Sequence, residues 1–252
     1  MAYVPKTRLF VEAALAAGTT IDLPKEKAHF LKNVLRMESG GLVALFNGRD
    51  GEWTGRIENL TRSNVTIVLE EQSRVQTPMP DVWLVFAPIK RARIDFVAEK
   101  ATELGIGQIR PVITRRTIVS RVKTDRLKAN ALEASEQCER LDIPEVFEPQ
   151  SLDSLLDQWP EGRRLLWCDE GASGGPIAQA LAALDDDAKS APWAILIGPE
   201  GGFDDDERAR LIEFPDALAV TLGPRLLRAD TAAAAALAIW QAWVGDWNLS
   251  PS

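Results

Sequence analysis

Four short runs of almost uninterrupted apolar residues constrain this chain more than any other feature: Val82-Trp83-Leu84-Val85-Phe86-Ala87, Leu165-Leu166-Trp167-Cys168, Ala194-Ile195-Leu196-Ile197 and Ala219-Val220-Thr221-Leu222. A strand that alternates apolar and polar residues buries one face, whereas one that is apolar throughout must be covered on both. Ile109-Arg110-Pro111-Val112-Ile113 adds a further strand. Between the strands, Ile94 to Leu104, Thr124 to Arg140, Pro176 to Leu184, Asp205 to Ile212 and Thr231 to Trp243 have helical spacing, and the Ala-rich stretch Ala232 to Ala236 favours helix by propensity. The alternation predicts an α/β domain with a mostly parallel sheet.

The preceding residues follow a different rule. Arg8-Leu9-Phe10-Val11, Leu42-Val43-Ala44-Leu45-Phe46, Trp53-Thr54-Gly55-Arg56-Ile57 and Asn64-Val65-Thr66-Ile67-Val68-Leu69 are short β-type runs, and Asn47-Gly48-Arg49-Asp50-Gly51 is a hairpin turn whose glycines supply positive φ. One helix is expected from Pro24 to about Leu35, with Phe30, Leu31, Val34 and Leu35 on its apolar face. This is the pattern of a small β-barrel. Residues 71–80, with Gln, Ser, Thr and two prolines, mark the domain edge, which divides the chain into 1–74 and 75–252.

The net charge of -8 conceals an uneven distribution. Residues 77–140 carry 12 Lys+Arg against 8 Asp+Glu, and residues 141–252 carry 7 against 20, so the first 140 residues leave room for a surface that meets nucleic acid. Cys138 and Cys168 match no zinc or redox spacing and are expected as free thiols in a reducing compartment. His29, the single histidine, has no metal or triad partner near it in sequence. No metal is expected. The start lacks the apolar run of a signal peptide and no stretch is long enough to span a bilayer, so a soluble, cytoplasmic protein with no membrane association is expected.

Two loops carry the chemistry. Ile197-Gly198-Pro199-Glu200-Gly201-Gly202-Phe203 leaves one apolar strand and enters a helix with a capping box, Asp204 and Glu207. Leu222-Gly223-Pro224-Arg225-Leu226-Leu227-Arg228-Ala229-Asp230-Thr231 leaves another, also opens with Gly-Pro, and feeds a helix capped by Asp230 or Thr231. Glycine at a strand's carboxyl end lets backbone approach a ligand, and two such loops at one sheet edge make a crevice of the kind that holds ligands in open α/β sheets. Arg225 and Arg228 can hold an anion and Asp230 can accept a proton. There is no Gly-Lys-Ser/Thr and no Gly-x-Gly-x-x-Gly, so a nucleotide- or nicotinamide-dependent enzyme is weakly supported. Surface salt bridges remain the plain alternative for each charge.

The loop pair resembles the signature of the RsmE family, SPOUT-class methyltransferases acting on ring nitrogen N3 of a uridine in 16S ribosomal RNA. The likeness spans nearly the whole chain. Arg8 to Val11 and His29 to Met37, with Val34-Leu35-Arg36, resemble the family's PUA-like RNA-binding barrel; Lys90 and Glu99 to Gly105 resemble the start of its methyltransferase domain; Glu133-Ala134-Ser135-Glu136-Gln137 with Arg140 and Pro144 resembles its central helix. The resemblance implies a trefoil-knotted domain over 75–252, a PUA-like domain over 1–74, and a homodimer, for which Trp240, Trp243 and Trp247 form a candidate stripe equally suited to a core. It implies S-adenosyl-L-methionine as cofactor, held around Leu196, Ile197, Gly198, Pro199, Glu200, Gly201, Gly202, Leu222, Gly223, Leu226, Leu227, Arg228 and Thr231, with Arg228 and Asp230 catalytic. Gly201→Val is accordingly expected to block the cofactor. It also implies 16S ribosomal RNA or the small ribosomal subunit as partner, with Arg8, Arg36, Lys90, Arg93, Arg115 and Arg116 as RNA contacts. The chain departs from the family at Ala229-Asp230, where Thr-Glu is common, and a non-catalytic RNA-binding or ribosome assembly factor with the same fold is the alternative.

Overall fold

The computed structural model of the protein describes residues 5–89, 91–119, 121–169 and 174–248. Two compact units are formed, Met1–Pro78 with Ser135–Ile143, and Met79–Ala134 with Pro144–Ser252.

In the first unit β1 (Arg8–Phe10), β2 (Thr20–Leu23), β3 (Leu42–Phe46), β4 (Glu52–Leu60) and β5 (Val65–Arg74) form one sheet in the order β1-β3-β4-β5-β2, parallel between β1 and β3 and antiparallel elsewhere. Alternate residues supply the core, with Val43 and Leu45 from β3 and Val65, Ile67 and Leu69 from β5 packing on Leu9, Ile57 and Leu31. The strand β5 runs on through Glu71 and Gln72 to Arg74, residues expected in the linker, because they pair with Thr54, Trp53 and Glu52 of β4. Helix α1 (Lys25–His29) passes into a π-helical turn, Phe30–Val34, in which the Leu35 N–H bonds the Phe30 carbonyl at 3.0 Å. This i→i+5 turn widens the helix and rotates Val34 off the apolar face, leaving it 60% exposed, while Ala28 and Leu31 are buried.

The predicted hairpin turn forms. The Asn47 side-chain oxygen accepts from the N–H groups of Arg49 at 3.0 Å and Asp50 at 2.8 Å. Gly51 has φ +74°, and a Cβ there would stand 2.2 Å from the Arg74 carbonyl oxygen. Gly51→Ala is therefore expected to lower stability by about 2 kcal/mol, read as a lower urea midpoint at unchanged m-value.

Arg8 ties Ser135–Ile143 into this unit. Its Nε lies 2.5 Å from Glu52 Oε2, its Nη1 donates to the Ser135 and Glu136 carbonyls at 3.0 and 3.2 Å, and its Nη2 donates to the Arg140 carbonyl at 2.9 Å. The guanidinium also lies 4.5 Å from the centre of the Phe46 ring.

In the second unit every strand pair is parallel. The strands are β6 (Val82–Phe86), β7 (Gln108–Ile113), β8 (Glu145–Val146), β9 (Gln150–Ser151), β10 (Arg164–Cys168), β11 (Gly175–Pro176), β12 (Trp193–Ile197) and β13 (Ala217–Thr221), in the order β11-β13-β10-β12-β6-β7-β8, with β9 also on β7. Every residue of β6 and β12 is buried, as their apolar runs require. The helices are α2 (Arg91–Glu103), α3 (Thr124–Gln137), α4 (Leu152–Asp157), α5 (Ile177–Ala182), α6 (Asp186–Ser190), α7 (Asp205–Glu213) and α8 (Ala229–Trp243). Helix α8 buries Ala233, Ala236, Leu237, Trp240 and Gln241, the face that a 3.6-residue period selects. Trp240 is thus core, whereas Trp243 and Trp247 are 45% and 53% exposed. Among the described residues no helix is long and apolar enough to cross a membrane, and no group of three His, Cys, Asp or Glu could hold a metal ion.

Candidate active site

The register of the parallel sheet aligns three strand ends. Cys168 at the end of β10 pairs with Ile197 at the end of β12 on one side and with Val220 of β13 on the other. Both Gly-Pro loops therefore leave the same sheet edge, and between them lies a cavity of about 660 Å³. Its size suits a nucleoside-sized ligand.

One wall is Ile197, Gly198, Pro199 and Glu200; the opposite wall runs from Val220 through Leu222, Gly223 and Pro224 to Arg228, with Ala229 and Ala232 from α8. Cys168 and Asp169 close the floor from β10. Sequence reasoning missed these two, since no motif marks them. The available signal was that Leu165 to Cys168 reads as a neighbouring parallel strand, whose carboxyl end must reach the same edge. Asp169 is 6% exposed and its Oδ2 lies 2.7 Å from Arg208 Nη2 of α7. Burial pushes the Cys168 thiol up to about 12, so it stays protonated at neutral pH.

The first loop is held from behind. Pro199 to Gly202 form a turn closed by the Gly202 N–H on the Pro199 carbonyl at 2.9 Å. Phe203 packs edge-to-face on Trp167 with centroids 6.0 Å apart. The capping box of α7 is complete: Asp204 accepts from the Glu207 N–H at 2.9 Å and Glu207 accepts from the Asp204 N–H at 3.1 Å. The Glu207 N–H and the Arg115 guanidinium hold the Asp204 carboxyl below the usual carboxylate range. The second Glu207 oxygen takes the Arg115 N–H at 2.8 Å, which anchors the loop after β7 to the same corner.

The predicted residues divide accordingly. Ile197, Gly198, Pro199, Glu200, Leu222, Gly223, Leu226, Leu227 and Arg228 line the cavity. Leu196 is buried within β12, Gly201 and Gly202 stand beyond the lining, and Thr231 is exposed in the first turn of α8. A Cβ on Gly201 would meet only Arg116 carbons at 3.7 Å, whereas one on Gly198 would lie 2.8 Å from the Phe203 ring. Helix α8 begins two residues earlier than expected, at Ala229, with Arg228 as its N-cap residue and no side-chain cap bond. Asp230 is turned away: Arg93 Nη1 donates to its two oxygens at 3.0 and 3.3 Å, and it does not line the cavity.

Of the predicted RNA contacts, Arg8 is enclosed in its clamp, Arg93 is paired with Asp230, and Arg115 is paired with Asp204 and Asp206 at 2.7 and 2.5 Å. Arg116 donates to the Gly201 carbonyl at 2.9 Å from an exposed position. Arg36 is exposed, at φ +53°. Lys90 lies outside the described residues. Arg225 and Arg228 are exposed at the cavity rim, with no side-chain partner among the described residues.

A family model described as an RNA methyltransferase domain matches residues 76–241, and one described as an RNA methyltransferase PUA domain matches residues 23–70. The ribosomal RNA small subunit methyltransferase E of Rickettsia conorii is 30% identical, over 92% of this chain and 93% of its own. That of Bacillus subtilis is 26% identical over 89% of this chain and 92% of its own. The solved structure of ribosomal RNA small subunit methyltransferase E from Neisseria gonorrhoeae bound to S-adenosyl methionine is similar with a TM-score of 0.85 at 28% identity, covering 96% of this chain and 99% of that one. A Legionella pneumophila protein solved in complex with the same cofactor is similar with a TM-score of 0.82 at 31% identity, covering 95% of this chain and 98% of that one.

Proposed function

Since the chain belongs to the RNA methyltransferase family that includes the ribosomal RNA small subunit methyltransferases E, we propose that it methylates 16S ribosomal RNA with S-adenosyl-L-methionine, at ring nitrogen N3 of a uridine. The observation that carries this reading is the 660 Å³ cavity at the carboxyl ends of β10, β12 and β13, built from the two Gly-Pro loops.

The residues fit the cofactor. Ile197, Val220, Leu222, Leu226 and Leu227 offer an apolar lining for an adenine ring, and the absent side chains of Gly198 and Gly223, the latter at φ +100°, let backbone N–H and C=O groups reach its edges. When bound, S-adenosyl-L-methionine supplies an electrophilic methyl group on a sulfonium. The protein's tasks are to align the uracil ring and to manage its N3 proton. Arg225 and Arg228 present guanidinium groups at the rim, where they would hold an RNA phosphate and stabilise negative charge developing on uracil. Asp230, bound by Arg93, keeps the first turn of α8 in place beneath Arg228.

The further parts of the proposal are a division of labour, with 1–74 contacting RNA and 75–252 carrying catalysis, a trefoil path in the second, cytoplasmic action on the small subunit or its RNA, and a homodimer. Phe96, Trp243 and Trp247, which are 42%, 45% and 53% exposed, supply apolar surface for a second copy. In a strain lacking the gene, 16S RNA is expected to lose one N3-methyluridine by mass spectrometry and regain it when the gene is restored. Persistence of the modified base after deletion overturns the substrate assignment.

A further inference from the structure

Methylation at N3 requires a group that takes the N3 proton, and among the described residues few that line the cavity are able to do so. Among the described residues its ionisable side chains are Cys168, Asp169, Glu200, Arg225 and Arg228. The two arginines are cations. The Cys168 thiol is held protonated by burial and is not an acceptor. Asp169 is almost fully buried and its carboxylate is engaged by Arg208 at 2.7 Å. Asp230, the acceptor that its position after Arg228 suggests, points to Arg93 outside the lining. Glu200 remains: it is exposed at the cavity mouth and makes no hydrogen bond or ion pair among the described residues.

We propose that Glu200 is the catalytic residue that takes the N3 proton of the target uridine, an inference that rests on the methyl-transfer reading of this cavity. The proton passes from N3 to the Glu200 carboxylate and the N3 electron pair forms the N–C bond to the methyl group. The C–S bond breaks with its electrons left on sulfur, so the sulfonium becomes a neutral thioether. Arg225 and Arg228 on the facing loop offset the negative charge that N3 and its flanking carbonyl oxygens gain in transit. The loop that presents Glu200 is fixed at both ends, by the Pro199 to Gly202 turn and by the capping box at Asp204. Among the described residues the charged groups around it are Arg116, which holds the Gly201 carbonyl, Arg115 with Asp204 and Asp206, and, around the cavity, Asp169, Arg225 and Arg228.

The test uses the full chain, S-adenosyl-L-methionine and small ribosomal subunits that lack the modification. Calorimetry gives cofactor affinity, and single-turnover rates are followed from about pH 6 to about pH 9. For Glu200→Gln the expected result is cofactor affinity within about threefold of wild type and a rate about 100-fold lower at neutral pH. The wild-type rate levels off across this range because the acceptor is built in, whereas the variant's rate climbs about tenfold per pH unit because only ionised uridine reacts. Asp230→Asn, which weakens the Arg93 pair beneath Arg228, is expected to lower the rate a few-fold at every pH while the rate still levels off as in the wild type. A Glu200→Gln rate within a few-fold of wild type, loss of cofactor binding in that variant, or transfer of the pH effect to Asp230→Asn overturns the assignment. Failure of the wild type to bind the cofactor overturns the methyl-transfer reading itself, and the assignment with it.

Discussion

Gly198→Val abolishes cofactor binding: no heat of binding is expected in calorimetry up to about millimolar S-adenosyl-L-methionine, a loss of more than about 100-fold. The reason is steric. A Cβ at Gly198 would lie 2.8, 3.1 and 3.3 Å from three atoms of the Phe203 ring. That ring cannot withdraw, because it is 9% exposed and packed edge-to-face on Trp167, itself fully buried in the sheet core. The strand-end loop must shift instead, and its displacement moves the Ile197 to Glu200 wall into the cavity. Overpacking of this kind costs about 1–3 kcal/mol in stability, so the variant is expected to fold with a lowered melting temperature. Gly201→Ala is the control, since a Cβ there finds ordinary contacts at 3.7 Å, and it is expected to bind within a few-fold of wild type. Wild-type affinity in the Gly198 variant would remove the cavity from the cofactor's binding site.

Arg8→Ala is expected to destabilise the protein by about 3 kcal/mol, measured by urea unfolding. The side chain is 12% exposed and its partner Glu52 is 9% exposed, so truncation leaves a buried carboxylate with only Ser73 Oγ at 3.0 Å and Arg74 Nη1 at 4.0 Å beside it. Three carbonyl acceptors on Ser135, Glu136 and Arg140 lose their donor at the same time. Arg8→Lys keeps the charge and loses the planar fork, and is expected to be nearly as unstable as the alanine variant. If Arg8 were instead a phosphate contact, the lysine variant would be as stable as wild type and alanine would lower the salt slope of RNA binding by about 1.

These two residues show what could be read in the sequence and what could not. Loop positions are local: an apolar strand followed by Gly-Pro at 198 and again at 223 is enough to locate a crevice, and the strand runs at 82, 165, 194 and 219 already require a two-sided sheet. Side-chain partners are not local. Arg8 meets Arg140 across 132 positions and Arg93 meets Asp230 across 137, pairings that depend on tertiary packing and leave no spacing in the sequence. For the same reason the pairing of Asp230 with Arg93 and of Arg8 with Glu52 could not be read, and Asp169 passed unnoticed although its strand was recognised. Val34 illustrates a backbone effect: a 3.6-residue period assigned it to the core, and the π-helical turn at Phe30–Val34 took it out. The Ala229-Asp230 departure divides in the structure: Ala229 lines the cavity, whereas Asp230 is engaged by Arg93 outside the lining.

Methylation of 16S RNA is read out by incubating the purified protein with small ribosomal subunits and S-adenosyl-L-methionine carrying an isotopically labelled methyl group, then mapping the label by mass spectrometry of nuclease fragments. The predicted result is one labelled uridine per RNA, with the methyl on the base at N3. Label on a ribose oxygen or on another base, or no transfer from a protein that binds the cofactor, would contradict it.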